Sequence, residues 1–184
     1  MKKKFHYILL FFILLVSNIV DAQTVYDYNK SGIEKYKIGD YKGAIEDYTK
    51  AIKLASDTIG LNIIKKVPLQ IACGDAYTSR GNAKSQLKDY TGAIQDYNKA
   101  IELIKDENTY YNRGIAKGNL GDFRGAIQDF DKVIELTPKF ADAYNIRGLA
   151  KAQLGNMDGA CLDWSKAGEL GYSKAYDMIK EYCK

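Results

Sequence analysis

Apolar side chains recur at helical spacing along most of this chain. Ala93, Ile94, Tyr97, Ala100, Ile101 and Ile104 fall on one helix face, with polar residues between them. The stretch Gly114–Pro138 shows the unit in its plainest form, two such amphipathic runs broken at Gly121-Asp122. Gly121 suits the left-handed residue that closes one helix, and Asp122 caps the next, so the segment reads as a helical hairpin. Near copies begin at Gly32, Gly81 and Gly148, so that the four leading glycines are 49, 33 and 34 residues apart. Gly39 and Gly155 repeat the closing role of Gly121, and Asp40, Asp89 and Asn156 repeat the cap.

Other residues recur in register. An aromatic opens each unit at Tyr28, Tyr77, Tyr110 and Tyr144. The second helix carries Ala44, Ala93, Ala126 and Ala160, then Tyr48, Tyr97, Phe130 and Trp164, then Ala51, Ala100, Val133 and Ala167. Pro138 alone fills a closing proline slot. With a period near 34 and two helices per unit, the chain resembles the tetratricopeptide-repeat family over nearly all of its length after residue 22. The resemblance implies an all-α fold, a right-handed superhelical array of antiparallel helix pairs. Its four units fall at about 25–56, 74–106, 107–140 and 141–172, with an insertion at 57–73 and a capping helix at 173–184. The leading glycines and the second-helix alanines lack bulk where paired helices cross. Gly43, Gly92, Gly125 and Gly159, one place before those alanines, are expected at the same tight contact. Glycine costs ~1 kcal/mol against alanine inside a helix, so such a set needs a packing reason.

Two departures from regularity stand out. About fifteen extra residues separate units one and two, in Asp57–Gly74. Pro68 suits the first turn of a helix, which predicts a loop followed by a lengthened first helix of unit two. Leu61, Ile63, Ile64 and Val67 are more apolar than a plain loop needs. They either pack on the extended helix or form a protruding contact for a partner. At the other end, Ser173 can cap a last helix, Lys174–Tyr182, whose Tyr172, Tyr176, Ile179 and Cys183 share a face. It would cover the flank of the final unit. Cys161 stands where the other units hold Ile45, Ile94 and Ile127, a position expected to face that cap. With the turn near Gly171, Cys161 lies ten residues before and Cys183 twelve after, which brings the two thiols side by side. A disulfide follows if the compartment is oxidising, and two buried thiols if it is not. Cys73 has no evident mate and is either buried and inert or free for an intermolecular bond.

The first 22 residues read differently. Lys2, Lys3 and Lys4 precede an unbroken apolar run, Tyr7–Val16, and Val20-Asp21-Ala22 offers small residues for cleavage. That is the order of a secretory signal peptide cut after Ala22, and it predicts an exported protein, periplasmic or extracellular. An uncleaved anchor is the alternative, but ten apolar residues are short against the ~20 of a span. Removing the segment takes away His6, the only histidine, and lowers the net charge from +4 to about +2. Nothing in that balance suggests a nucleic-acid surface. Zinc signatures, nucleophile elbows and opposed carboxylate pairs are missing, and Gly114, Gly118, Gly121 and Gly125 lack the strand and the Gly-Lys-Ser/Thr ending of a phosphate loop. No cofactor and no catalysis are expected. Arg80, Arg113 and Arg147 recur with Asp47, Asp96, Asp129 and Asp163, as ion pairs between stacked helices or as a ladder of arginines for an acidic ligand.

The family resemblance implies a concave groove lined by the first helix of each unit. Its residues here are Tyr26, Asn29, Ile33 and Tyr36; Asp75, Thr78 and Asn82; Asn108, Tyr111, Ile115 and Asn119; and Asn145 and Leu149. Family members that bind chaperone tails use a clamp of lysine and asparagine. Asn82 occupies one clamp-like place, while Ile33, Ile115 and Leu149 take its equivalents. The expected function is a non-catalytic protein-binding module or assembly scaffold of the bacterial envelope, its partner a peptide or helix. The alternatives are an oligomerising subunit joined through the insertion and first unit, and an accessory factor to an envelope enzyme or glycan-processing system.

Overall fold

Short polar side chains start most of these helices, and left-handed residues turn the chain between paired ones. The computed structural model describes residues 23–59 and 66–183. Helix α1 covers residues 23–37, followed by α2 (Tyr41–Ile59), α3 (Lys66–Gln86), α4 (Tyr90–Leu103) and α5 (Glu107–Asn119). Then come α6 (Phe123–Leu136), α7 (Ala141–Gln153), α8 (Met157–Glu169) and α9 (Ala175–Tyr182). No strand occurs among the described residues. The helices form a right-handed superhelical array of antiparallel pairs, α1–α2, α3–α4, α5–α6 and α7–α8, with α9 packed on α8.

The caps explain one set of glycines. Asp40, Asp89, Asp122 and Asn156 each accept a hydrogen bond from the backbone N–H of Gly43, Gly92, Gly125 and Gly159, at 2.9, 2.9, 2.9 and 3.0 Å. A Cβ on Gly125 would stand 2.1 Å from Asp122 Oδ2, and the other three are equally blocked by their caps. These glycines therefore let the capping side chain close over the helix end, rather than serving the helix crossing that the sequence suggests. The crossing belongs to the leading glycines. A Cβ on Gly32, Gly81, Gly114 or Gly148 would meet the ring of Tyr48, Tyr97, Phe130 or Trp164 at 2.6, 2.6, 2.9 and 2.7 Å.

Between paired helices the chain turns through Gly39, Gly121 and Gly155 at φ 82°, 81° and 78°, and in the second pair through Lys88 at φ 62°. A side chain there crowds the backbone by about 1–2 kcal/mol, part of which glycine returns as lost unfolded-state entropy. Lys88→Gly should therefore raise stability by roughly 0.5–1 kcal/mol. A urea midpoint equal to or below that of the parent protein would contradict this.

The core is distributed in local clusters along the array. At one end Val25, Ala51, Ile52, Ala55, Leu69, Cys73 and Ala76 pack together, joining α1, α2 and the extended start of α3. Leu69 and Cys73 are each 3% exposed, so the added turns of α3 are held by burial. Of the suggested apolar contact, Leu61, Ile63 and Ile64 lie outside the described residues, and Val67 falls in the first turn of α3. Cys73 is free and buried, and burial pushes its thiol pKa up, leaving it a small apolar core residue. At the other end Ala160, Trp164, Ala167 and Ala175 pack together beneath α9. That helix begins one residue later than expected and has no side-chain cap; Ser173 contributes only its carbonyl, to Tyr176 N–H at 3.1 Å. Cys161 and Cys183 form a disulfide with their Cα atoms 5.8 Å apart, tying α8 to the end of α9.

Candidate functional site

The first helices of the pairs, α1, α3, α5 and α7, line one face, and the second helices floor the gaps between them. Among the described residues, two hollows stand out there. The first, of about 390 Å³, is walled by Asp75, Thr78 and Ser79 of α3 and by Asn108 and Thr109 of α5, with Ile33 at its edge and, beneath, Ala100 of α4 and Ile104 just past its end. Asp106 closes it from the α4–α5 loop. Thr78 and Thr109 share a hydroxyl hydrogen bond at 2.9 Å, which ties the two walls together. Asp106 is engaged as the cap of α5, its Oδ2 accepting from Thr109 N at 2.8 Å and Thr109 Oγ1 at 2.9 Å. Among the described residues the Asp75 side chain makes no ion pair or hydrogen bond. Its pKa is raised, first by partial burial and then by the neighbouring Asp106 carboxylate.

The second hollow, of about 400 Å³, lies between α5 and α7 over α6. It is lined by Ile115, Gly118 and Asn119, by Ile146, Leu149 and Gln153, and by Phe123, Ala126 and Phe130 below. At the register of Gly118 the other first helices carry Tyr36, Ser85 and Ala152. A Cβ on Gly118 would touch nothing within 4 Å. Glycine at this one place opens the hollow.

The residues expected in the groove divide accordingly. Ile33, Asp75, Thr78 and Asn108 come together in the first hollow, and Ile115, Asn119 and Leu149 in the second. Tyr26 is exposed near the start of α1. The rest are used by the fold. Asn29 Nδ2 donates to Ala72 O at 3.2 Å, and Tyr36 packs edge-on to Tyr41. Asn82 Oδ1 accepts from Tyr97 Oη at 2.8 Å and from Asn112 Nδ2 at 3.0 Å. Asn145 is buried and gives its carbonyl to Trp164 Nε1, so its side chain is no open groove contact. Tyr111 stacks on Phe140 and meets Phe130 edge-on, and burial, then Asp142 and Tyr172, push its pKa up to about 12. Gly118 and Asp106 were not among the expected residues. The signal for Gly118 is its missing side chain at a register where the other units have one.

The arginines are spent on the architecture. Arg80, Arg113 and Arg147 each grip the aspartate of their own unit through Nε and Nη2, Arg113 reaching Asp129 at 3.0 and 2.6 Å. These ion pairs join the two packed helices of each unit, and Arg147 adds one to Asp131 of the preceding unit. The third nitrogen, Nη1, does reach back, to Thr49, Asn98 and Asp131 of the preceding unit. Each guanidinium also lies 5.4 Å from the ring centre of Tyr77, Tyr110 or Tyr144. A lysine one turn on, Lys84, Lys117 or Lys151, completes each site at 2.8 Å from the aspartate. No ladder of arginines is left for a ligand.

Unit one solves the same problem with Ser31 and Lys35, both 2.6 Å from Asp47, and Lys50 at 3.5 Å. Burial works to raise the pKa of Asp47, but those three groups outweigh it and hold the carboxyl below its ordinary 3.8. A carboxylate with a depressed folded pKa adds stability above its unfolded pKa and loses it as pH falls through the folded value. Asp47→Asn should therefore narrow the fall in urea midpoint between pH 5 and pH 2.5. A fall as steep as the parent's would show that Asp47 takes no part in it.

Models described as "Tetratricopeptide repeat" match residues 28–58, 74–106 and 108–140, together more than half of the chain. The chain belongs to the tetratricopeptide-repeat family. Its α7 and α8 repeat the same glycine-on-ring contact and the same arginine site, which makes them a fourth unit of the array. None of the curated proteins matches this tetratricopeptide-repeat chain in sequence. Among solved structures it is similar to the first such domain of Spaghetti (RPAP3) bound to the HSP90 peptide SRMEEVD. That likeness has 27% identity, covers 73% of this chain and 95% of that one, and has a TM-score of 0.61. A structure of MamA protein shares 26% identity over 84% of this chain and 95% of that chain, with a TM-score of 0.52. A tetratricopeptide repeat protein from Parabacteroides merdae shares the fold at 21% identity, over 82% of this chain and 54% of that one, with a TM-score of 0.66. Tetratricopeptide-repeat proteins are in general non-catalytic protein-interaction modules. Among the described residues no helix is long and apolar enough to cross a membrane.

Proposed function

We propose that this chain is a non-catalytic interaction module of a bacterial cell envelope, an assembly scaffold that holds an extended peptide or partner helix on its concave face. The observation that carries the reading is the pair of hollows between successive first helices, α3–α5 and α5–α7, with Ile33, Asp75 and Leu149 exposed at their walls. The similar Spaghetti domain has a peptide bound, which favours the same use here. Export is supported by the lysine-led apolar run Tyr7–Val16, followed by small residues up to Ala22, and by the disulfide, a bond that persists in oxidising compartments.

Crosslinking in intact cells followed by mass spectrometry tests the scaffold. Crosslinks to other envelope proteins are expected from Lys30, Lys37 and Lys53 in the first unit and from Lys88 in the second; links to copies of this chain alone would overturn it. Amino-terminal sequencing of the natural protein should begin at Gln23, and an intact Met1 would overturn the cleavage after Ala22.

A further inference from the structure

The two hollows differ in chemistry, and the difference fixes what can lie across them. The first carries Asp75 and Asp106 on its walls, with Asn108 and two threonines, and no cationic side chain lines it. Asp106 spends its Oδ2 on the start of α5 and accepts from Asn108 Nδ2 at Oδ1, but the Asp75 side chain has no partner among the described residues and keeps contact with solvent. The second is apolar, walled by Ile115, Ile146, Leu149 and Phe123, and no charged residue lines it. The two share α5, one at its first turn and the other at its last two. Asn108 and Ile115 are seven residues apart on that helix, ~10 Å at ~1.5 Å per residue. Crossing from one gap to the next adds about one helix spacing, ~9 Å. An extended chain rising ~3.3 Å per residue covers that diagonal in about four residues.

Resting on the concave-face reading above, we infer that the ligand is an extended peptide segment carrying a lysine or arginine about four residues from a large apolar side chain. The cation lies against Asp75 at the α3–α5 hollow, and the apolar group fills the space over Gly118 at the α5–α7 hollow. This is opposite in charge to the acidic SRMEEVD peptide on the similar Spaghetti domain. Ile33, Ile115 and Leu149 stand at equivalent positions of their helices, where a cationic clamp for such a tail would need polar or charged groups. An acidic tail would meet Asp75 and Asp106 instead, and Arg80, Arg113 and Arg147 are already bound to the aspartates of their own units.

Selection of random twelve-residue peptides displayed on phage against the oxidised protein tests this. Enrichment of a basic residue three to five positions from Leu, Ile, Phe or Met is expected. Enrichment of acidic peptides, or of apolar ones without charge preference, would overturn the ligand chemistry while leaving the groove standing. No enrichment at all would overturn the groove reading and this inference with it. For a selected peptide, Asp75→Lys should weaken binding about tenfold, by turning attraction into repulsion. It should leave the analogue with glutamine in place of the basic residue unaffected. Gly118→Leu, which fills open space, should weaken both peptides about equally. Circular dichroism establishes that each variant is folded, and Asp75→Asn serves where Asp75→Lys is not. Unchanged affinity in folded Asp75 and Gly118 variants would overturn the assignment of the two hollows.

Discussion

Trp164→Ala should be the most damaging single truncation in the chain, lowering stability by about 3–5 kcal/mol. The side chain is 1% exposed and sits where α7, α8 and α9 meet. Its ring covers Gly148, its Nε1 donates to Asn145 O at 3.3 Å, and its centre is 6.0 Å from that of the Tyr182 ring. Removing it opens a cavity between three helices, and the buried Asn145 carbonyl loses its donor. Trp164→Phe is the control. The same register holds Tyr48, Tyr97 and Phe130 in the other units, so a smaller ring is compatible with the crossing and should cost less than half as much. Urea denaturation followed by circular dichroism checks both; equal losses would mean that the indole N–H, rather than ring volume, carries the stability.

Reducing the Cys161–Cys183 bond should lower stability by roughly 3 kcal/mol, the chain-entropy figure for a loop spanning 22 residues. The loss should be local at first. Helix α9 is eight residues long, and few helices that short persist without packing. What remains to hold it is Ala175, fully buried, with Met178 and Ile179 packed on the same cluster, Tyr182 beside Trp164, and the Tyr176 ring lying over Gly168. Since Trp164 is the only tryptophan and lies near Tyr182, its fluorescence should change when α9 loosens, ahead of the main unfolding transition. Cys183→Ser should match the reduced parent, and intact mass should show the parent two daltons lighter than its reduced form. A reduced protein as stable as the oxidised one would show that packing alone holds the cap.

Much of the fold was legible because the sequence states it four times. Gly32, Gly81, Gly114 and Gly148 read as crossing points, and a ring does lie on each. The cysteine pair was legible for a related reason, since a helical hairpin about Gly171 leaves little choice of what faces Cys161. Where two physical causes leave the same residue, the sequence was ambiguous. Gly43, Gly92, Gly125 and Gly159 could serve a crossing or a cap, and only the distance to the capping side chain decides for the cap. The site was harder to read because aligning repeats rewards sameness. Asn82 and Asn145 looked like groove residues by register, yet internal partners claim them. Gly118 and Asp106 matter because they depart from register or lie between helices. A pattern built from periodicity passes over both.

The backward reach of the arginines gives the array a direction. Arg80 ties unit two to unit one through the Thr49 hydroxyl, Arg113 ties three to two through the Asn98 amide, and Arg147 ties four to three through the Asp131 carboxylate. The acceptor passes from neutral to ionised along the chain, and hydrogen bonds to ionised groups are the stronger. The disulfide adds to the same end. In a molecule where each unit touches only its neighbours, joints of unequal strength give way in order. Fraying should start at α1 and α2 and travel toward α8, so that amide exchange is fastest in the first unit and slowest in the last. Pulled from both ends or offered to a protease, the chain should open from one side, like a zipper with its stop at the carboxyl end.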